Sequence, residues 1–146
     1  MLKGIRIVEI EGLGPTPFAG MMFADLGAEV TVIHRKDKSI FSNPKNILDR
    51  GKRSIELDLK DPKDLEIAKK IIFRSDALIE GFRPGVMENF GLGPDDLNEN
   101  PLLVYGRMTG WGQKGPKSKQ SGHDLNYIGL SGALWYASHP DTPPFT

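Results

Sequence analysis

Residues 5–33 confine this chain to very few folds. Ile5-Arg-Ile-Val-Glu-Ile10 is rich in β-branched residues and reads as a short strand. Glu11-Gly-Leu-Gly-Pro15 follows as a turn. Phe18, Met21, Met22 and Leu26 then recur at the spacing of one helical face, up to Gly27. Pro15 suits a first helical turn and Gly27 a helix stop. Glu29-Val-Thr-Val-Ile33 is a second strand. Strand, glycine turn, helix and strand within about 30 residues make a βαβ unit of the dinucleotide-binding type.

The glycine fingerprint of that unit is imperfect. Gly12-Leu13-Gly14 is followed by Pro15 and Pro17, which remove two of the backbone N–H groups that would hold a pyrophosphate. An NAD enzyme would place an acid at the end of the second strand for the ribose hydroxyls; this chain has His34-Arg35-Lys36. That basic end suits a phosphorylated ribose, either the 2′-phosphate of NADP or the 3′-phosphate of coenzyme A. A solvated basic turn is the plain alternative. From His34 to Arg53 there are seven Lys or Arg and two Asp, the strongest local charge bias in the chain.

The alternation continues downstream. Ser54-Ile-Glu-Leu-Asp-Leu59 reads as a third strand, and Asp61-Pro62 starts a helix with Leu65, Ala68, Ile71 and Ile72 inward. Ala77-Leu-Ile-Glu-Gly81 is a fourth strand, followed by Phe82-Arg-Pro-Gly85 and a short helix with Val86, Met87 and Phe90. Asp95 to Asn98 reads as one more helical turn, and Leu102 to Tyr105 as a buried fifth strand. The fold class is therefore α/β: a Rossmann-like parallel sheet with helices on both faces. Residues 1–134 are expected to form this domain, and 135–146, with His139-Pro140 and Pro143-Pro144, a linker or tail.

After the fifth strand comes a loop with glycines at 110, 112, 115 and 122 and Trp111 between two of them. Lys114, Lys117 and Lys119 lie in it, with no acid between Arg107 and His123, so it favours an anionic ligand. Gly122-His123-Asp124 then opens a helix with Leu125, Ile128, Leu130 and Leu134. Strand, glycine loop and a His–Asp pair at a helix start is one way to present a reactive side chain at a sheet edge. A capping pair without chemistry is the other reading of the same residues.

Composition bounds the partners. Lys plus Arg and Asp plus Glu are 19 each, so no global field argues for nucleic acid or a membrane surface. Cysteine is absent, which excludes disulfides and thiolate metal sites and fits a reducing compartment. No apolar run approaches a spanning helix, and the N-terminus has no signal-peptide layout. A soluble, cytoplasmic protein is expected, without nucleic acid, membrane or bound metal.

The segments Ile5-Arg-Ile-Val-Glu9, Gly51-Lys-Arg-Ser54, Leu57-Asp-Leu-Lys60, Glu80-Gly-Phe-Arg-Pro-Gly-Val86, Gly91-Leu-Gly-Pro94, Gly110-Trp-Gly-Gln113 and Gly122-His-Asp-Leu-Asn-Tyr-Ile128 together resemble the alpha-methylacyl-CoA racemases of the family III CoA-transferase superfamily. In transferases of that superfamily the place of His123 is usually held by another residue. The resemblance implies the N-terminal portion of a family III CoA-transferase fold, acting on an acyl-CoA thioester. Coenzyme A is then part of the substrate, and no separate cofactor is implied. It also implies that Arg35 meets the adenosine phosphates and that Leu57, Asp58, Leu59 and Lys60 line adenine and ribose. Gly122, Leu125, Asn126 and Tyr127 would contact the pantetheine end, with His123 and Asp124 at the reacting carbon. The family commonly has an arginine where this chain has Asn89, and Arg83 is a further phosphate candidate or a cap at the strand end.

The same resemblance implies an intertwined homodimer and a second catalytic acid some thirty residues beyond His123. The 146 residues themselves are thus expected to bind coenzyme A weakly and to be inactive. Three activities follow for the whole protein: racemisation at the α-carbon, CoA transfer between carboxylic acids, or CoA or NADP binding without chemistry.

Overall fold

The computed structural model describes residues 1–36, 46–137 and 142. They form two compact units, Met1–Met108 and Thr109–Thr146. The first holds a five-stranded sheet of β1 (Arg6–Ile10), β2 (Glu29–His34), β3 (Arg53–Glu56), β4 (Ala77–Glu80) and β5 (Val104–Arg107). All four pairings are parallel, in the order β3-β2-β1-β4-β5. The order reverses between β1 and β4, which is the switch point of a doubly wound sheet.

Each sheet face has its own core. Ile7, Val30 and Ile79 point to one side, where Ala19, Phe23 and Ala24 of α1 (Pro15–Asp25) pack on them. Val8, Ile10, Ile33 and Leu78 point to the other. There they meet Ala68 and Ile72 of α2 (Pro62–Phe73), Met87 of α3 (Val86–Asn89), and Leu92. The period-2 alternation along β1 explains this division, since neighbouring residues must serve opposite faces. Asp61 caps α2 by accepting from Lys63 N–H at 2.7 Å, and Pro62 takes the first helical position. Among the described residues no helix is long and apolar enough to cross a membrane.

The sequence reading of α1 needs correction. Of the expected inner face only Met21 is buried, while Phe18, Met22 and Leu26 are 51%, 47% and 41% exposed. Thr16, Pro17 and Gly20 face inward instead. The cause is a buried ion pair. Lys52 Nζ lies 2.7 Å from Glu9 Oε2 and also donates to the Pro17 carbonyl at 2.9 Å. Both charged side chains are only 2% exposed. The carboxylate occupies the space where a Cβ on Gly20 would stand. At that point the helix presents Gly20 to β1, with Thr16 and Pro17 also buried.

Two strands also differ from expectation. β3 ends at Glu56 instead of Leu59, because Leu57 N–H still reaches the His34 carbonyl but Asp58 then turns. β5 runs from Val104 to Arg107, two residues later than expected, and Leu102 and Val104 are exposed. Its register starts with Val104 opposite Ala77, at the sheet edge. Asp95 to Asn98 form turns without a helix, as Asp96 and Leu97 N–H groups both bond the Gly93 carbonyl.

The second unit contains α4 (Asp124–Ser131) and a 3₁₀ turn over Ala133–Ala137. Residues 138–141 and 143–146, which include most of the expected tail, lie outside the described residues.

Gly20 gives a test of the buried pair. An interior helix Gly→Ala change normally gains about 1 kcal/mol, whereas breaking a buried ion pair costs about 3–5 kcal/mol. Gly20→Ala should therefore destabilise the chain by about 2–4 kcal/mol in urea unfolding. A stabilised variant would mean that the pair does not set the α1–β1 spacing.

Candidate functional site

A cleft of about 270 Å³ opens at the C-terminal ends of the strands in the first unit. Ile10 and Glu11 come from the end of β1, Ile33, His34 and Arg35 from the end of β2, and Leu57 to Lys60 from the turn after β3. Phe82, which follows β4, and Val86 and Phe90 of the α3 region complete its lining. Open α/β sheets place ligands outside the carboxyl ends of their strands, where side chains converge without interrupting the ladder. The apolar walls suit a flat aromatic ring, and Arg35 and Lys60 stand on exposed positions beside them.

The polar groups of the cleft are held by one another. Glu11 Oε1 lies 3.1 Å from His34 Nδ1, and Oε2 accepts from Arg35 N–H at 2.9 Å. Asp58 Oδ1 accepts from Lys60 N–H at 3.0 Å, which folds Asp58-Leu59-Lys60 into a tight turn. Asp64 on α2 accepts from Asp58 N–H at 2.8 Å and pairs with Lys36 Nζ at 2.6 Å. Its hydrogen bond to Lys36, and then that from Asp58 N–H, hold its carboxyl below the usual carboxylate range. Of the basic run His34-Arg35-Lys36, only the first two line the cleft, while Lys36 fastens β2 to α2.

Below Phe82, Glu80 is 3% exposed and accepts from Phe82 N–H at 2.6 Å. Burial raises its pKa, against the lowering effects of that bond and of Arg107. Arg107 lies opposite Glu80 in the register and reaches Glu88 at 2.6 Å. These contacts fix the Phe82 turn that forms one wall.

In the second unit, His123 is the N-cap residue of α4, and its N–H donates to Asn126 Oδ1 at 2.9 Å. His123, Asp124, Leu125 and Asn126 are exposed, while Gly122 and Tyr127 are half-buried. The Tyr127 hydroxyl fills the space above both Gly110 and Gly122, where any Cβ would collide with it. Trp111 packs edge-on against Tyr127 at 5.2 Å, and Lys117 lies 5.0 Å over Trp111. The glycines at 110 and 122 thus let one tyrosine pin both ends of the loop that precedes His123.

The expected nucleotide residues Arg35, Leu57, Asp58, Leu59 and Lys60 converge on one cleft. Arg83 does not line it; its carbonyl accepts from Val86 N–H at 3.2 Å. The glycine turn of residues 12–14 contributes no lining residue either. Sequence reasoning missed Glu11, Phe82 and Phe90. A charged residue at the end of an apolar strand was the available signal for Glu11. The aromatics carried none, since Phe82 fitted a turn and Phe90 a core pattern.

A family model for CoA-transferase family III matches residues 2–146. This chain belongs to that family. It is 48% identical over 135 residues to alpha-methylacyl-CoA racemase from Mus musculus, covering 92% of this chain and 34% of the mouse protein. It is 30% identical to succinate–glutarate CoA-transferase from Agrobacterium fabrum, covering 98% of this chain and 40% of that one. The fold matches the crystal structure of a CAIB/BAIF family protein from Brucella suis at a TM-score of 0.88 and 28% identity. There the alignment covers 99% of this chain and 42% of the other. The chain thus spans between a third and a half of the length of these relatives.

The Asp64 pairing predicts an acid limb of stability. A carboxyl held below its usual value of 3.8 contributes fully above that value, and the contribution is lost as pH falls through the folded pKa. Between about pH 2 and 5 the urea midpoint should fall more steeply for the unsubstituted chain than for Asp64→Asn. Equal slopes would rule out Asp64 as a titrating contributor.

Proposed function

We propose that the whole protein is a racemase that inverts the α-carbon of 2-methylacyl-CoA thioesters. The observation that carries this reading is the identity to alpha-methylacyl-CoA racemase, well above that to the transferase, in a chain with His123 at an exposed helix start. The cleft of the first unit takes the adenosine part of coenzyme A. Its apolar walls hold adenine, and Arg35 and Lys60 face the phosphates. The loop ending at Gly122, with Leu125, Asn126 and Tyr127, meets the pantetheine arm.

The chemistry is proton transfer. His123 removes the α-proton, and the C–H electron pair passes into the thioester to give an enolate. Main-chain N–H groups in the first turn of α4, beside Asp124, stabilise the enolate oxygen. A second acid on the opposite face returns a proton to carbon and completes inversion. We place that acid outside these 146 residues and the working enzyme in a cytoplasmic homodimer.

Deuterium from solvent should wash into the α-carbon of 2-methylacyl-CoA with the full-length protein and stop in His123→Ala. Exchange that survives the substitution would remove His123 from the role of base. CoA transfer is the second reading, favoured by the similarity to the transferase. It requires a covalent CoA adduct, trapped when a carboxylate acceptor is present.

The 146-residue chain alone should not invert a chiral 2-methylacyl-CoA, because one base without an opposing acid returns the proton to the same face. Inversion above the buffer rate, lost in His123→Ala, would locate the second acid within these residues.

A further inference from the structure

The pairing of Glu11 with His34 is used by none of the steps above, although both residues line the cleft. In doubly wound folds the residue at the end of β2 reads the ribose of the nucleotide, by an acid for free hydroxyls or a cation for a phosphate. Here an imidazole stands at that position, and the acid has moved to the end of β1 beneath it. Glu11 sets one oxygen 3.1 Å from His34 Nδ1 and accepts from Arg35 N–H with the other. With Nδ1 beside Glu11, Nε2 is the nitrogen left for a ligand.

The charges around the ring narrow the choice of ligand group. Glu56 is the register partner of His34 on β3, and Glu11 backs the ring. Asp58 also lines the cleft, and the cations there are Arg35 and Lys60. Lys36 is engaged with Asp64. A bare carboxylate at Glu11 would repel a phosphate, but one oxygen is bonded by Arg35 N–H and the other stands beside the His34 ring. An imidazolium has an N–H on each nitrogen, so it can face a carboxylate with one and donate to a phosphate oxygen with the other.

We propose that His34, positioned by Glu11, is the specificity-determining residue that reads the phosphate monoester on the ribose of the bound nucleotide. This rests on the reading of the cleft as a coenzyme A site. Glu11 is a positioning residue: it touches no ligand and acts by fixing the ring.

The test is calorimetric binding of coenzyme A and of 3′-dephospho-coenzyme A to the 146-residue chain and its variants. The unsubstituted chain should prefer coenzyme A. His34→Ala should cut that preference about tenfold by weakening coenzyme A alone, the loss of one charge-assisted hydrogen bond. Glu11→Gln should cut it about threefold, with the affinity for the dephospho form kept. Arg53→Ala, an exposed change on β3, should leave both affinities unchanged. A preference unaltered in His34→Ala, or an equal loss for both ligands, overturns the role of His34 and leaves the cleft reading standing. Failure of the unsubstituted chain to bind either ligand overturns both.

Discussion

The buried contact between Glu9 and Lys52 ties together three parts of the chain that sequence keeps apart. Glu9 is on β1, Lys52 immediately precedes β3, and Lys52 also holds the Pro17 carbonyl in the first turn of α1. Burial pushes the Glu9 carboxyl up, while the Lys52 ammonium, both as donor and as charge, pulls it down. Such a pair adds little net stability over a well-packed apolar substitute, but losing one partner strands the other in a dry site. Its effect is to specify an arrangement: α1 must present Gly20 to β1, and the chain must return from β2 to a point beside the sheet.

The cleft depends on that arrangement. Once β1, β2 and β3 are aligned, Glu11, His34 and Leu57 emerge at neighbouring strand ends. Each end then receives its own lock. Glu11 holds the start of the β2 exit, Asp64 holds Asp58 and Lys36, and Glu80 holds Phe82. Carboxylates accept all of these bonds, three of them from main-chain N–H groups where a strand gives way to a turn. Backbone donors freed at the end of a ladder need an acceptor, and a short acidic side chain supplies one without extending the sheet. The exposed cations Arg35 and Lys60 are thereby carried on a frame already set by internal bonds.

How much of this was legible follows from the range of the interactions. The strand–helix alternation and the parallel sheet could be read because period and turn chemistry are local. The inner face of α1 could not, since Phe18, Met22 and Leu26 satisfy helical spacing and only a lysine far downstream excludes them from the interior. The end of β3 was overrun for a related reason. Leu57 and Leu59 continue the alternation of Ile55, yet Asp58 takes Lys60 N–H and turns the chain. Convergence of Arg35 with Leu57 to Lys60 was available only through family resemblance. Arg83, which the same route named, is not among the residues lining the cleft.

What the fold shares with its relatives and what decides the reaction lie in different places. The sheet and its strand-end cleft belong to a family that includes both racemases and transferases, so a matching backbone does not choose between them. In the proposed reading such a frame serves either chemistry, because binding the nucleotide end of a thioester is the same task for both. In the proposed reading, the choice falls to the side chain presented at the start of α4. An imidazole is a group that takes and returns a proton, whereas acyl transfer needs a carboxylate that can form an anhydride. The Tyr127 ring between Gly110 and Gly122 sets how that position is presented, and it does so by filling space, without itself being charged. The proposed reading thus assigns reaction type to one residue at the start of α4 and ligand identity to the strand ends.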